Sequence, residues 1–132
     1  MKLTRFAEAK SYEAPNHRDM RALRLQGFMD GGPQNFWVGL SHFLPGGGAG
    51  PDSSPLEKVY VVLGGAVTVK TPGSEVVLGA LDSCSIPGDE MREVKNHGNE
   101  VATMLVVMPY PPTAPTAPAA PRSAAFSGGR RK

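Results

Sequence analysis

Short apolar runs separated by turn-forming residues recur along most of the chain, without the three-to-four-residue apolar spacing of an amphipathic helix. Branched and aromatic residues fill the runs, and Gly, Pro, Asn and Asp divide them, as is typical of short strands. The runs are ALRLQG, FWVGLSHFL, KVYVVLGGAVTVKT, SEVVLGAL, DSCSIP, MREVKN and VATMLVVMP. This pattern predicts an all-β domain, a sandwich or a barrel whose closure removes exposed strand edges.

Glycines give two of these runs a more specific interpretation. Gly64 and Gly65 interrupt KVYVVLGGAVTVKT, which predicts two antiparallel strands joined by a glycine turn. The run FWVGLSHFL stops at Pro45, and the following GGGAGPDSSP predicts a loop. GGGAG lacks the lysine and the helix of a phosphate-binding loop, so we interpret it as a flexible pocket rim.

Three segments follow from this pattern. Residues 1–27 are predicted to form an irregular arm with one strand, and residues 28–110 the β domain. Residues 111–132 are rich in proline and alanine and offer little for a core, so they are predicted to be a disordered tail.

Composition narrows the class of protein. A chain of 132 residues fits one core, and no apolar run approaches the roughly 20 residues that span a bilayer. The charged N-terminus lacks a secretory signal, so we expect a cytoplasmic protein without membrane partners. The single cysteine, Cys84, excludes an intramolecular disulfide and a multi-cysteine metal site.

The formal charge of +2 arises near the C-terminus. Four of the fourteen basic residues are Arg122, Arg130, Arg131 and Lys132, and without them ten Lys and Arg face twelve Asp and Glu. A body this close to neutral lacks the basic face that neutralises several phosphates. We therefore expect no nucleic-acid partner.

Two segments, PGGGAGPDSSPLEKVYVVLGGAVTV and LDSCSIPGDEMREVKN, resemble the two cupin motifs, G-x5-H-x-H-x3,4-E-x6-G and G-x5-P-x-G-x2-H-x3-N. Glu57 and Gly64 have the spacing of the first motif, and Pro87 and Asn96 that of the second. The resemblance implies a cupin double-stranded β-helix, a jelly-roll barrel, over roughly residues 36–108.

The histidines of those motifs are missing. Their positions fall on Gly50 and Asp52, or on Pro51 and Ser53 with the shorter spacer, and on Arg92 in the second motif. Typical cupins hold a divalent metal with three imidazoles and a carboxylate, of which Glu57 alone remains. A guanidinium has no lone pair for a metal, so we expect no metal and no other cofactor.

The resemblance implies that Glu57 and Arg92 both point into the barrel. One interpretation is a buried ion pair between them. The other is a catalytic pair, in which Arg92 binds a substrate carboxylate or oxyanion and Glu57 transfers a proton, as in an isomerase, lyase, decarboxylase or cyclase.

The predicted pocket wall follows from the two-residue period of strands. Val59 and Val61 share a face with Glu57, and Val94 shares one with Arg92, which gives an apolar pocket for a small organic ligand. His42 shares a face with Val38, Leu40 and Leu44 and is expected to look inward, as a ligand donor, a base or a core residue. Asp52 completes the predicted substrate-binding set.

Two alternatives to the catalytic interpretation stay open at this point. The chain is a non-catalytic binder of the same small molecule, or it is a metallo-cupin that uses His42, Asp52 and Glu57 as ligands.

Trp37 and Phe43 point opposite to His42, so they are expected to cover the outer face of the sheet. We therefore expect a homodimer, because such a face needs shielding.

Overall fold

A computed structural model describes residues 1–112, and the regular secondary structure of this part of the chain is almost entirely β-strand. Phe6–Glu8 forms one short 3-10 turn. The strands β1 to β9 are Lys10–Tyr12, His17–Gln26, Phe36–Asp52, Lys58–Gly64, Val67–Thr71, Ser74–Leu78, Ser83–Ile86, Arg92–Lys95 and Ala102–Pro109. The all-β prediction is confirmed. The predicted disorder of the tail concerns residues that, from 113 onward, lie outside the described part.

The strand β3 belongs to both halves of the barrel. Its first part pairs with β9, its second part pairs with β8, and β2 pairs with it on both sides of the bend. The bend lies where β3 bulges opposite Asp19, and Gly46 there has a φ of +84°. The sheet order is β6-β5-β8-β3-β9-β4-β7, with β1 and β2 added beside β3.

The glycine run GGGAG is part of β3, so its interpretation as a flexible rim is wrong. Gly47, Gly48 and Gly50 are buried. A Cβ at Gly47 would collide with the Asp19 carbonyl, and one at Gly48 with the Val94 carbonyl. These positions are glycine because neighbouring backbones approach them closely.

The predicted hairpin between β4 and β5 is also wrong. β4 pairs with β7 and β9, whereas β5 pairs with β6 and β8, so the two strands lie in different halves of the barrel. Gly65, with φ of +70°, makes the turn between them against the backbone of Ala102. The hairpin lies one connection later, where Thr71 pairs with Ser74 across a two-residue loop.

The core fills the space between the two halves of the barrel. Its largest apolar side chains that are at most 2% exposed are Phe43, Val62, Val67, Val94 and Met104. Trp37 belongs to the same cluster. Trp37 and Phe43 therefore do not cover the outer face. The homodimer stays a prediction, but these two residues no longer support it.

The N-terminal arm is built into the sheet. β2 runs antiparallel to β3, and its residues Ala22 and Leu23 are buried. Outside the sheet, the Phe6 ring packs edge-on against His42, with 6.0 Å between ring centroids. None of the helical turns in residues 1–112 has the length and apolar character needed to cross a membrane.

Candidate functional site

Strand β4 presents Lys58, Tyr60 and Val62 to the barrel interior, where they are 5%, 4% and 0% exposed. Glu57 is exposed, Val59 is 39% exposed and Val61 is half-buried on the outer face. The predicted inward orientation of Glu57, Val59 and Val61 is therefore wrong.

A shift of one residue explains the error. The glycine with left-handed backbone is Gly65, not Gly64. The cupin motif has six residues between its glutamate and its glycine. Counted back from Gly65, this spacing places Lys58 at the glutamate position. Because side chains alternate along a strand, this shift exchanges its whole inner and outer faces.

Strand β8 has the predicted orientation, since Arg92 and Val94 are both buried and Val94 packs in the core. The Arg92 Nε donates to the Tyr60 hydroxyl at 2.8 Å, and one terminal nitrogen, Nη1, donates to the Gly50 carbonyl at 2.9 Å. Arg92 is therefore held by two neutral oxygens. The predicted Glu57–Arg92 ion pair is not among the contacts within residues 1–112.

Lys58 is a second cation beside Arg92. Burial lowers the pKa of the Lys58 ammonium, the positive charge of Arg92 lowers it further, and the Asp52 carboxylate partly opposes both. Asp52 lies at the exposed rim, opposite Arg92 in the β3–β8 register, and its Oδ1 accepts the Ser53 amide at 2.8 Å.

His17, at the start of β2, belongs to this group. Its Nδ1 lies 2.6 Å from the Pro15 carbonyl, and because a carbonyl only accepts, Nδ1 carries the proton and Nε2 is left as an acceptor when the ring is neutral. Burial lowers the pKa of His17, and Arg92 lowers it too, against the Pro15 hydrogen bond and Asp52. His17 also lines a cavity of about 330 Å³ along β1 and β2.

In the sequence, His17 is one residue of a polar N-terminal arm, and its spacing does not mark it as a site residue. The signal that places it is the β2–β3 register, which sets His17 opposite Ala49, next to the Gly50 carbonyl that binds Arg92. This pairing joins residues far apart in the chain. No local pattern reveals it.

His42 faces the other way. It is half-buried on the outer face of β3, and its Nδ1 lies 3.2 Å from the Thr103 hydroxyl. The predicted inward orientation is wrong because Trp37 and Phe43 occupy the inward positions of this strand segment.

The family of the chain follows from comparison with known proteins. A cupin domain model matches residues 39–108. The chain belongs to the cupin family. A relative from Mycobacterium tuberculosis, named Beta-D-galactosidase Rv1717, is 44% identical over 84% of this cupin and 96% of its own length.

Solved structures confirm the fold. The polyketide cyclase RemF from Streptomyces resistomycificus aligns with a TM-score of 0.73 and 22% identity, over 83% of this cupin and 79% of that chain. An RmlC-like cupin from Shewanella frigidimarina gives 0.68 and 15%, over 83% and 90%. At these identities the likeness concerns the barrel alone.

The residues of this barrel do not fit the usual cupin metal. Lys58 and Arg92 occupy positions where the motif has metal ligands. In their protonated forms these side chains have no lone pair with which to bind a metal. Within residues 1–112, no three His, Cys, Asp or Glu side chains lie close enough to hold a metal ion. His42, Asp52 and Glu57 are therefore not brought together as a ligand set.

Proposed function

We propose that this cupin binds a small organic anion, a carboxylate or another oxyanion, inside the barrel beside Arg92 and Lys58. The observation that carries the proposal is the pair of buried cations, neither of which is in an ion pair with an acid within residues 1–112. Lys58 shares the inner face of β4 with Tyr60, whose hydroxyl accepts from Arg92, and both burial and the charge of Arg92 lower the pKa of the Lys58 ammonium.

Electrostatics favours an anion in this position. A buried charge without a counter-charge is costly, and an anionic ligand offsets the cost for both cations at once. Arg92 keeps part of its planar fork for a carboxylate after donating to Tyr60 and Gly50. Tyr60, hydrogen-bonded to Arg92, adds a hydroxyl to the same wall.

Proton transfer next to the bound carboxylate is the chemistry that we propose for the site. Lys58, whose pKa is lowered by burial and by Arg92, and His17, with a free Nε2, supply groups that take up or release a proton. The exposed position of Glu57 leads us to give this role to Lys58 instead. An isomerase or lyase reaction fits such a pair.

A thermal-shift screen of small carboxylic acids tests the proposal. We expect at least one acid to raise the melting temperature of the wild type and to lose its effect in Arg92→Gln and in Lys58→Met. Lys70→Gln, at an exposed position on β5, is the control and should behave as the wild type. Retention of the shift in both site variants would contradict the proposal.

A second candidate function is hydrolysis of a β-D-galactoside, which the 44% identity to the Mycobacterium tuberculosis protein favours. Glycoside hydrolysis usually needs an acid and a base or nucleophile around one bond. Asp52 and His17, which act on each other's charge at the rim, are the groups that we assign to it.

A chromogenic aryl β-D-galactoside separates the two functions. If this cupin is a galactosidase, Asp52→Asn lowers turnover at least about a hundredfold, and Asp30→Asn, an exposed loop control, does not. No release of the chromophore above the uncatalysed rate would remove this candidate. Binding without turnover of any tested acid or sugar would instead make the protein a small-molecule binder.

A further inference from the structure

Arg24 is a half-buried arginine with one buried terminal nitrogen, and the proposed function does not use it. In the sheet, Arg24 pairs with Gly39, Gly39 with Val106, and Val106 with Tyr60, so these residues form one row across four strands. Directly paired residues project to the same face of a sheet. Arg24 and Tyr60 therefore lie in one layer of the interior.

Gly39 makes room between them. A Cβ at Gly39 would lie 2.8 Å from the Trp37 ring and 3.0 Å from the Tyr12 hydroxyl, so both side chains occupy the space above this glycine. Both Arg24 and Tyr60 affect the Tyr12 hydroxyl. Burial raises the pKa of Tyr12, the charge of Arg24 lowers it, and Tyr60 raises it. Tyr12 thus connects the Arg24 end of the layer with Tyr60, whose hydroxyl accepts from Arg92.

Arg24 is surrounded by aromatic rings and lacks an oxygen partner for one nitrogen. Its guanidinium carbon lies 3.8 Å from the Phe28 ring centroid, 4.4 Å from that of Tyr12 and 5.9 Å from that of Trp37. One terminal nitrogen, Nη1, is buried and has no hydrogen-bond acceptor in the described part of the chain. Ring faces attract the positive charge, but they do not replace an oxygen as acceptor of an N–H.

We infer that Arg24 is a second anchor for the same ligand, which therefore carries an oxygen acceptor at each end. One end binds at Arg92 and Lys58, the other at the free N–H of Arg24, and the part between them lies against Tyr12 and Tyr60. This inference rests on the proposed function. It narrows the ligand from a small organic anion to one with two separated acceptors, of which a dicarboxylate is the simplest.

Calorimetric titration with matched acids tests the second anchor. The probes are straight-chain dicarboxylic acids from succinate to suberate, each paired with the monocarboxylic acid of equal carbon number. We expect one dicarboxylate to bind at least about tenfold more tightly than its partner, the gain of one charge-assisted hydrogen bond. Arg24→Gln should reduce that ratio to near one and leave the monocarboxylate affinity unchanged.

Two further variants keep the result interpretable. Arg24→Lys retains the charge but not the planar fork, so it should lose most of the ratio even if the Gln variant is poorly folded. Lys70→Gln, at an exposed position on β5, should keep the wild-type ratio.

The possible failures differ from one another. If monocarboxylates bind but no chain length favours the dicarboxylate, or if the ratio survives in both Arg24 variants, the second anchor is wrong and the proposed function stands. If the wild type binds neither kind of acid, the proposed function fails and the inference fails with it.

Discussion

Two arginines on the inner face of the sheet, Arg92 buried and Arg24 half-buried, are held in different ways. Arg92 donates to the Tyr60 hydroxyl and to the Gly50 carbonyl, so its position is fixed by directional bonds. Arg24 lies among the faces of aromatic rings, and one of its nitrogens has no protein acceptor within residues 1–112.

The two kinds of contact differ in how much they contribute to the stability of the fold. A hydrogen bond to a charged group contributes about 1.5–3 kcal/mol, and removing one member leaves a buried partner unsatisfied. A cation–π contact contributes about 0.5–2 kcal/mol and leaves nothing unsatisfied when it is lost. Arg92 is therefore part of the fold as well as of the site, whereas Arg24 is free to act on a ligand.

Replacing each arginine with methionine should give the largest contrast. Arg92→Met deprives the Tyr60 hydroxyl and the Gly50 carbonyl of their donor, and we expect the free energy of unfolding to fall by about 3 kcal/mol. Arg24→Met should lower it by about 1 kcal/mol or less. Urea denaturation measures both. Equal losses would show that the two guanidiniums are held alike.

A smaller effect is expected at the phenol that binds Arg92. Tyr60→Phe removes one hydrogen bond and should cost about 1 kcal/mol, and in combination with Arg92→Met it should cost little more than Arg92→Met alone. Tyr12→Phe, which leaves the Arg92 bonds in place, is the control. Additive losses in the double variant would mean that Tyr60 and Arg92 act independently.

The smallest expected effect is a dependence on pH at Lys58. Burial and Arg92 lower the pKa of Lys58 in the folded state. Between this pKa and the higher pKa of Lys58 in the unfolded chain, the unfolded chain binds more protons than the folded one. The free energy of unfolding therefore rises with pH across this range. Lys58→Met removes this dependence. We expect the variant to be more stable than the wild type at pH 7 by on the order of 1 kcal/mol, and this difference to be smaller at pH 10, close to the ordinary lysine pKa of 10.5. Lys70→Met, at an exposed position, should show no such trend in denaturation curves recorded at both pH values.

The sequence was enough to predict most strands and the family, because apolar runs and glycines mark them locally. It was not enough for the face of β4, since Gly64 and Gly65 are equivalent in the sequence and only Gly65 has left-handed backbone. The inward orientation of Arg92 was predicted because the second motif contains no such pair of glycines. His17 and Arg24 were missed because long-range pairing with β3 places them.

The hairpin error has a related cause. A glycine turn between two apolar runs is a local signal for a reversal of the chain. It does not distinguish a return within one sheet from a crossing to the opposite sheet. Here the closed barrel requires the crossing at Gly65, because β4 and β5 find their partners in different halves.

The strand β3 has a consequence for how this domain opens. Since it pairs with β9 at one end, with β8 at the other and with β2 at both, neither half of the barrel can separate without breaking its pairing. The domain should therefore unfold in a single cooperative step, and the β3 amides should exchange with solvent only through that step. A ligand that bridges the two arginines would slow this exchange across the whole barrel.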